Sequence, residues 1–282
     1  MPDVRRIELG WGASVVGELA GQVTLVVYAF DTGGAVLVAA YVASRTVVSM
    51  VVTLGIAGVS GRVRPGALLR RVTWLRAVLL GLAALTAALH GPPVAVIALA
   101  AGSSSLAGTY RPLQVTILPW LVRTPAELTS SNAIAAIMEN AGALAGPLLA
   151  GGVLLVTAPA VPIALAAGFL GLAGASLTRL AVPDIPRRPD AKGAGQVARD
   201  AAQGLAELVR VAPPAGLAIL AFAQTFVRGA LVVLIAVLAV KTLLLGQSAV
   251  GWLTAAIGAG GLVGGAAAAR FVGVTRLGRA FV

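Results

Sequence analysis

Eight apolar runs, each about the length needed to cross a bilayer and divided by short polar or Gly/Pro-rich breaks, constrain this chain more than any other feature. They lie near 11–30, 34–58, 72–89, 94–121, 128–156, 160–181, 214–239 and 248–269. A helix needs about 20 apolar residues to cross roughly 30 Å of hydrocarbon. Of the 282 residues, 59% are hydrophobic and 11% charged, whereas a soluble domain is about half apolar and about a quarter charged. The expected fold class is therefore all-α, a polytopic membrane helical bundle of eight spans.

The net charge of +11 would suit a nucleic-acid binder if it were clustered on one face. Instead it alternates along the chain. One set of breaks holds Arg5 and Arg6; Arg62, Arg64, Arg70, Arg71 and Arg76; Arg123; Arg179, Arg187, Arg188, Lys192, Arg199 and Arg210; and Arg270, Arg276 and Arg279, which makes 17 of the 21 basic residues. The other set, around Asp31, His90, Thr157 and Gln247, holds only Lys241. This is the positive-inside pattern, and it places the N-terminus in the cytoplasm. The charge then reports topology and contact with anionic lipid, with no nucleic-acid partner implied. Nineteen arginines against two lysines, in a chain rich in Ala, Gly, Val and Leu, suggest a GC-rich bacterial gene and a bacterial inner (plasma) membrane location.

Cysteine is absent and histidine occurs once, at His90 in an expected turn, so thiolate chemistry and histidine-based metal sites are excluded and no cofactor is implied. No Gly-rich nucleotide loop ending in Gly-Lys-Ser/Thr is present, which weighs against a membrane enzyme. Thr124, Pro125 and Glu127 form a helix-start signal: a capping hydroxyl, a proline in the first turn and a carboxylate three residues after the cap. Trp11, Trp74, Trp120 and Trp252 fall near expected helix ends, as interfacial anchors do. The N-terminal stretch shows no cleavage-site pattern, so the first helix is expected to remain in the mature protein. Residues 183–213 form the one long polar connection, and its second part reads as an amphipathic helix with Val197, Ala201, Leu205 and Leu208 on one side. It divides the chain into a six-helix bundle over 1–182 and two helices over 214–282. The break pattern after the linker resembles that of the first two helices, as in transporters built from repeats.

Apart from Arg76 and Arg179, grouped with the breaks at the span ends, five ionisable residues fall inside the spans: Glu18, Arg45, Arg111, Glu139 and Arg228. A charge at membrane depth is costly, faces protein or a water-filled cavity, and is paired. At 1.5 Å per helical residue, Glu18 lies roughly 10 Å from the cytoplasmic start of its helix and Arg111 and Glu139 roughly 15 Å. Glu18 with Arg111 is the expected buried pair, with Glu18 as a candidate proton carrier. Plainer readings stand beside these. Glu18 can simply tie two helices, Arg111 can satisfy carbonyls freed by Pro112, and Arg45 can anchor its helix in the outer half.

Three motifs resemble the major facilitator superfamily of secondary transporters, in particular its bacterial drug and siderophore exporter branch. An R-x-x-Q pair on the fourth helix is matched by Arg111 and Gln114, with Val115 where glycine usually follows. A glycine-proline motif on the fifth is similar to Gly142, Gly146, Pro147, Gly151 and Gly152, the last glycines one residue late. The basic loop between helices two and three is matched by Arg62, Arg64, Arg70 and Arg71, with Gly61 where the family's aspartate stands. The resemblance implies proton-coupled export of a small amphipathic compound by alternating access. Glu18, Arg111, Gln114, Glu139 and Arg45 would line the cavity, the loop arginines would act in gating, and the glycines in helix packing. It also implies a second six-helix bundle, so the chain is expected to be a truncated product. No sequence feature indicates an oligomeric state. The alternative reading is a non-transporting membrane sensor or assembly module.

Overall fold

The computed structural model describes residues 2–60, 63–180, 182, 195–196, 199–200, 202–204 and 212–268. The described residues are helical throughout, with no strand: α1 (Pro2–Ser60), α2 (Pro65–Ala88), α3 (Pro93–Ser105), a 3-10 turn (Ala107–Thr109), α4 (Tyr110–Leu121), α5 (Pro125–Leu154), α6 (Ala160–Thr178), α7 (Ala212–Val237), a π-turn (Leu238–Thr242) and α8 (Ser248–Ala268). Five helical stretches are long and apolar enough to cross a membrane: Asp3–Thr53, Pro93–Leu121, Pro125–Leu154, Ala160–Thr178 and Phe222–Thr242. They are compatible with a membrane protein.

Local chemistry explains where the helices begin and break. The first two expected helices are the two limbs of α1, parted where Gly34 adopts φ 62, a conformation that glycine takes without the clash a Cβ brings. α2 begins at Pro65 rather than near residue 72, because proline suits a first turn whose N–H groups have no helical acceptor. Arg70 and Arg71 therefore lie on a helix instead of in a loop. The fourth span is broken at 106–109: Pro112 has no N–H to offer the Gly108 carbonyl, and its ring crowds the preceding turn. At the start of α5 the Thr124 hydroxyl accepts the Glu127 N–H at 3.2 Å, while the Glu127 carboxylate reaches back to the Arg123 N–H at 2.7 Å. The four apolar positions of the expected linker helix, Val197, Ala201, Leu205 and Leu208, lie outside the described residues.

The first limb of α1 is the axis of the bundle. It runs parallel to α5: Trp11 bonds the Ala135 carbonyl, Gly142 lies against Val15, and Gly146 against Leu19 and the backbone of Val16 and Ala20. It runs antiparallel to α6, with Gly10 near Ser176 and Gly17 near the Ala166 carbonyl. Arg6 fastens these ends by donating to the Arg179 carbonyl at 2.9 Å, so a cation sits at the C-terminus of α6, where the helix dipole favours it. Arg6, Arg64, Arg71, Arg123 and Arg179 consequently gather at one end of the bundle, and Asp31, His90 and Gln247 at the other. α8 lies along α5, where a Cβ at Gly251 would stand 2.6 Å from the Pro147 carbonyl oxygen.

Polarity runs inside out. Val36, Met50, Leu172 and Phe222 project outward with exposures above 60%, whereas Ser14, Thr24, Thr73, Arg76, Ser103 and Gln114 are buried. Between them, Leu25, Val27, Leu80, Ala83, Ala100, Ile163 and Leu170 form the apolar core. A continuous apolar sheath is costly in water and at home in lipid.

Candidate functional site

A densely bonded polar group in the interior is the guanidinium of Arg76, three turns into α2. Its Nη2 donates to Glu18 Oε2 at 2.6 Å, its Nη1 to Ser14 Oγ at 2.8 Å and its Nε to the Ser103 carbonyl at 3.2 Å. The Ser103 hydroxyl returns a bond to the Arg76 carbonyl at 3.0 Å. Ser14 and Glu18 are one helical turn apart on α1, so both meet the same guanidinium. One residue thus ties α1, α2 and α3 together while being 1% exposed.

Glu18 has a second cationic neighbour. Arg45, from the second limb of α1, places its Nη2 3.5 Å from Glu18 Oε1. That oxygen is buried and accepts no hydrogen bond. The side-chain exposure rises across the row, 2% for Arg76, 15% for Glu18 and 24% for Arg45. One turn before Arg45, the buried Tyr41 hydroxyl lies 3.4 Å from Ser104 Oγ. Two guanidinium groups and one carboxylate leave this cluster with one positive charge in excess.

Arg111 is elsewhere. Its Nη1 donates to Gln114 Oε1 at 3.2 Å, and its guanidinium lies 5.8 Å from the centre of the Trp11 ring, within cation–π range. Trp11 is also 5.2 Å from the Tyr110 ring, and the Tyr110 hydroxyl donates to the Ile7 carbonyl at 3.1 Å. The expected Glu18–Arg111 pair is therefore corrected: Glu18 is taken by Arg76 and Arg45. Trp11, expected as an interfacial anchor, is half-buried and packs against the Tyr110 cluster. In this second cluster Gln114 is fully buried with an unpartnered Nε2.

The remaining expected positions are scattered. Glu139 is exposed on α5 and joins neither cluster. Arg64 is the exposed residue preceding α2, Arg70 and Arg71 lie in its second turn, and Arg62 lies outside the described residues. Arg228 falls in α7. Gly142 and Gly146 face α1, Gly151 faces Ser248 and Gly251 of α8, and Gly152 has open space around it. Arg76, Ser14 and Ser103 are the site residues that sequence reasoning missed. By charge alone Arg76 groups with the loop arginines, although apolar residues on both sides, Val72 and Leu75 before it and Ala77 to Leu80 after it, mark it as buried.

Comparison with protein families, curated proteins and solved structures gives no match for this chain.

Proposed function

We propose that this chain is a secondary transporter of the major facilitator kind. In this reading it moves a small solute across a bacterial plasma membrane by alternating access, coupled to protons, with its N-terminus in the cytoplasm. The observation that carries the reading is the Arg76–Glu18–Arg45 cluster inside a sheath of apolar helices. Charged groups held at membrane depth mark solute and ion pathways, because their cost is otherwise unrecovered. Glu18 Oε1 supports a coupling role: it is buried and accepts no hydrogen bond, leaving a lone pair for a proton. The bonded Arg111–Gln114 pair, and the glycine face that α5 turns toward α1 and α8, support the family resemblance. Small residues at a helix seam allow close approach without interlocking side chains, which suits elements that move against each other.

The test is solute-evoked proton movement in lipid vesicles containing the full chain, read by entrapped pyranine across a panel of small amphipathic compounds. Wild type should couple the two fluxes. Glu18→Gln should still exchange solute but fail to accumulate it when a pH difference is imposed. Absence of solute-dependent flux in wild type would reject transport in favour of a non-transporting membrane module.

A further inference from the structure

We infer that Arg45 is the anion-recognition residue of this site, and that the solute it takes carries a carboxylate or phosphate group. The inference rests on reading the cluster as a solute site and narrows the class of solute. Its starting point is the unequal sharing of Glu18. Arg76 holds one carboxylate oxygen at 2.6 Å, turns its other two nitrogens to Ser14 and the Ser103 carbonyl, and is 1% exposed, so burial closes it to a ligand. Arg45 reaches the other oxygen only at 3.5 Å, and this is its one ion pair among the described residues. It is also the most exposed member of the row, at 24% of its side chain.

The charge count points the same way. An excess cation in an apolar bundle is unfavourable until an anion meets it. A bound anion would complete an alternating row of Arg76, Glu18, Arg45 and ligand. The planar guanidinium fork presents paired N–H groups that match a carboxylate or phosphate with two parallel bonds. Tyr41, one turn away on the same limb, places a hydroxyl group beside the row. A cationic solute would instead meet two arginines and a carboxylate already claimed by both.

The probes are benzoate and phenyl phosphate, with neutral benzamide and cationic benzylammonium as matched controls. Binding is measured by titration calorimetry on the full chain in phosphatidylcholine nanodiscs. Wild type should bind at least one anion at one site, about tenfold or more tighter than benzamide and with no binding of benzylammonium. Arg45→Gln should abolish that preference, Arg45→Lys should recover part of it, and Arg123→Gln, an exposed arginine at the bundle end, should leave it unchanged. Equal affinity for charged and neutral probes, no binding of either anion, or wild-type affinity in Arg45→Gln would overturn the inference. The comparison of probes on wild type decides the matter even if Arg45→Gln does not fold. Replacing the lipid by phosphatidylglycerol should leave benzoate affinity within about twofold; loss of binding would assign Arg45 to a lipid headgroup and overturn the soluble-anion reading. Anion binding without flux in vesicles would keep this inference and reject transport. Flux of a neutral or cationic solute without anion binding would do the reverse.

Discussion

Arg76 and Glu18 meet at 2.6 Å across two helices, and the arginine of this pair is almost wholly buried while its carboxylate partner keeps one oxygen unbonded. The pair is therefore rigid on one side and open on the other. Rigidity comes from the three further bonds that Arg76 makes with Ser14 and Ser103, counting the one its own carbonyl accepts, and openness from the distance to Arg45.

Loss of Arg76 should be among the most destabilising single changes available. Arg76→Ala leaves Glu18 inside the bundle with only its loose partner, a change worth about 3–5 kcal/mol for a buried pair. Arg76→Lys should not restore stability, because an ammonium group cannot reach Glu18, Ser14 and the Ser103 carbonyl from one planar group. Thermal unfolding in detergent micelles, followed by circular dichroism, checks this. A Lys variant as stable as wild type would refute the clamp.

Ser14→Ala is the milder companion. It removes a hydrogen bond to a charged group while leaving the ion pair intact, and should cost about 1.5–3 kcal/mol. The same melts measure it, and an effect below about 0.5 kcal/mol would show that water replaces the hydroxyl.

The seam between α5 and α8 gives a matched pair of glycine tests. A methyl group at Gly251 would meet the Pro147 carbonyl and the Gly151 backbone, neither of which can turn aside. Gly251→Ala should therefore destabilise by about 1–3 kcal/mol. Gly152→Ala has nothing within 4 Å to strike, and should be neutral or stabilising by up to about 1 kcal/mol through helix propensity. Equal melting temperatures for the two variants would sink the packing account.

Sidedness can be read directly because the chain has no cysteine. Single cysteines at His90 and Leu244, both exposed at one end of the bundle, should react with an impermeant maleimide added to intact cells. Those at Arg71 and Arg123, exposed at the other end, should react only after permeabilisation. The opposite labelling pattern would invert the orientation drawn from the arginine-rich breaks.

Leu244 carries a backbone conformation unusual for its type, with φ 52 just after the π-turn. It is 80% exposed, so its side chain adds no packing to a turn held by the Leu243 and Leu245 N–H groups, which donate to the Leu238 and Ala239 carbonyls. Leu244→Asn should raise stability by about 1 kcal/mol or less, since asparagine enters the left-handed region more readily. An unchanged or lowered melting temperature would indicate that the leucine packs in the membrane-bound state.

The all-helical class was legible in the long apolar runs, whereas five stretches, against eight expected spans, have the length and apolarity to cross a membrane. The double glycine at 33–34, the Thr124 cap and the run beginning at Ala160 each carry their local cause in the sequence. What sequence reading missed came from tertiary geometry. Arg70, Arg71 and Arg76 look alike as letters, and only the early start of α2 at Pro65 turns the third inward beside Ser14. Depth counting brought Glu18 and Arg111 to similar levels, but it carries no angular information about which helix faces which. The R-x-x-Q spacing was more informative, because residues three apart on a helix meet whatever surrounds them. Ser14 and Ser103 gave no signal, since a serine in an apolar run is noticed only when its partner is known.

The bonding of Glu18 also sets an order on biosynthesis. The carboxylate leaves the ribosome with the first limb of α1, well before its tight partner, which follows 58 residues later. In between comes Arg45, delivered by the very next limb after the Gly33–Gly34 break. The weak contact is therefore the first countercharge to emerge, able to accompany the acid through membrane insertion until α2 follows and Arg76 takes the other oxygen. The looser of the two contacts is thus the one that lies nearer to Glu18 along the chain, and the tighter one waits for the third helical segment.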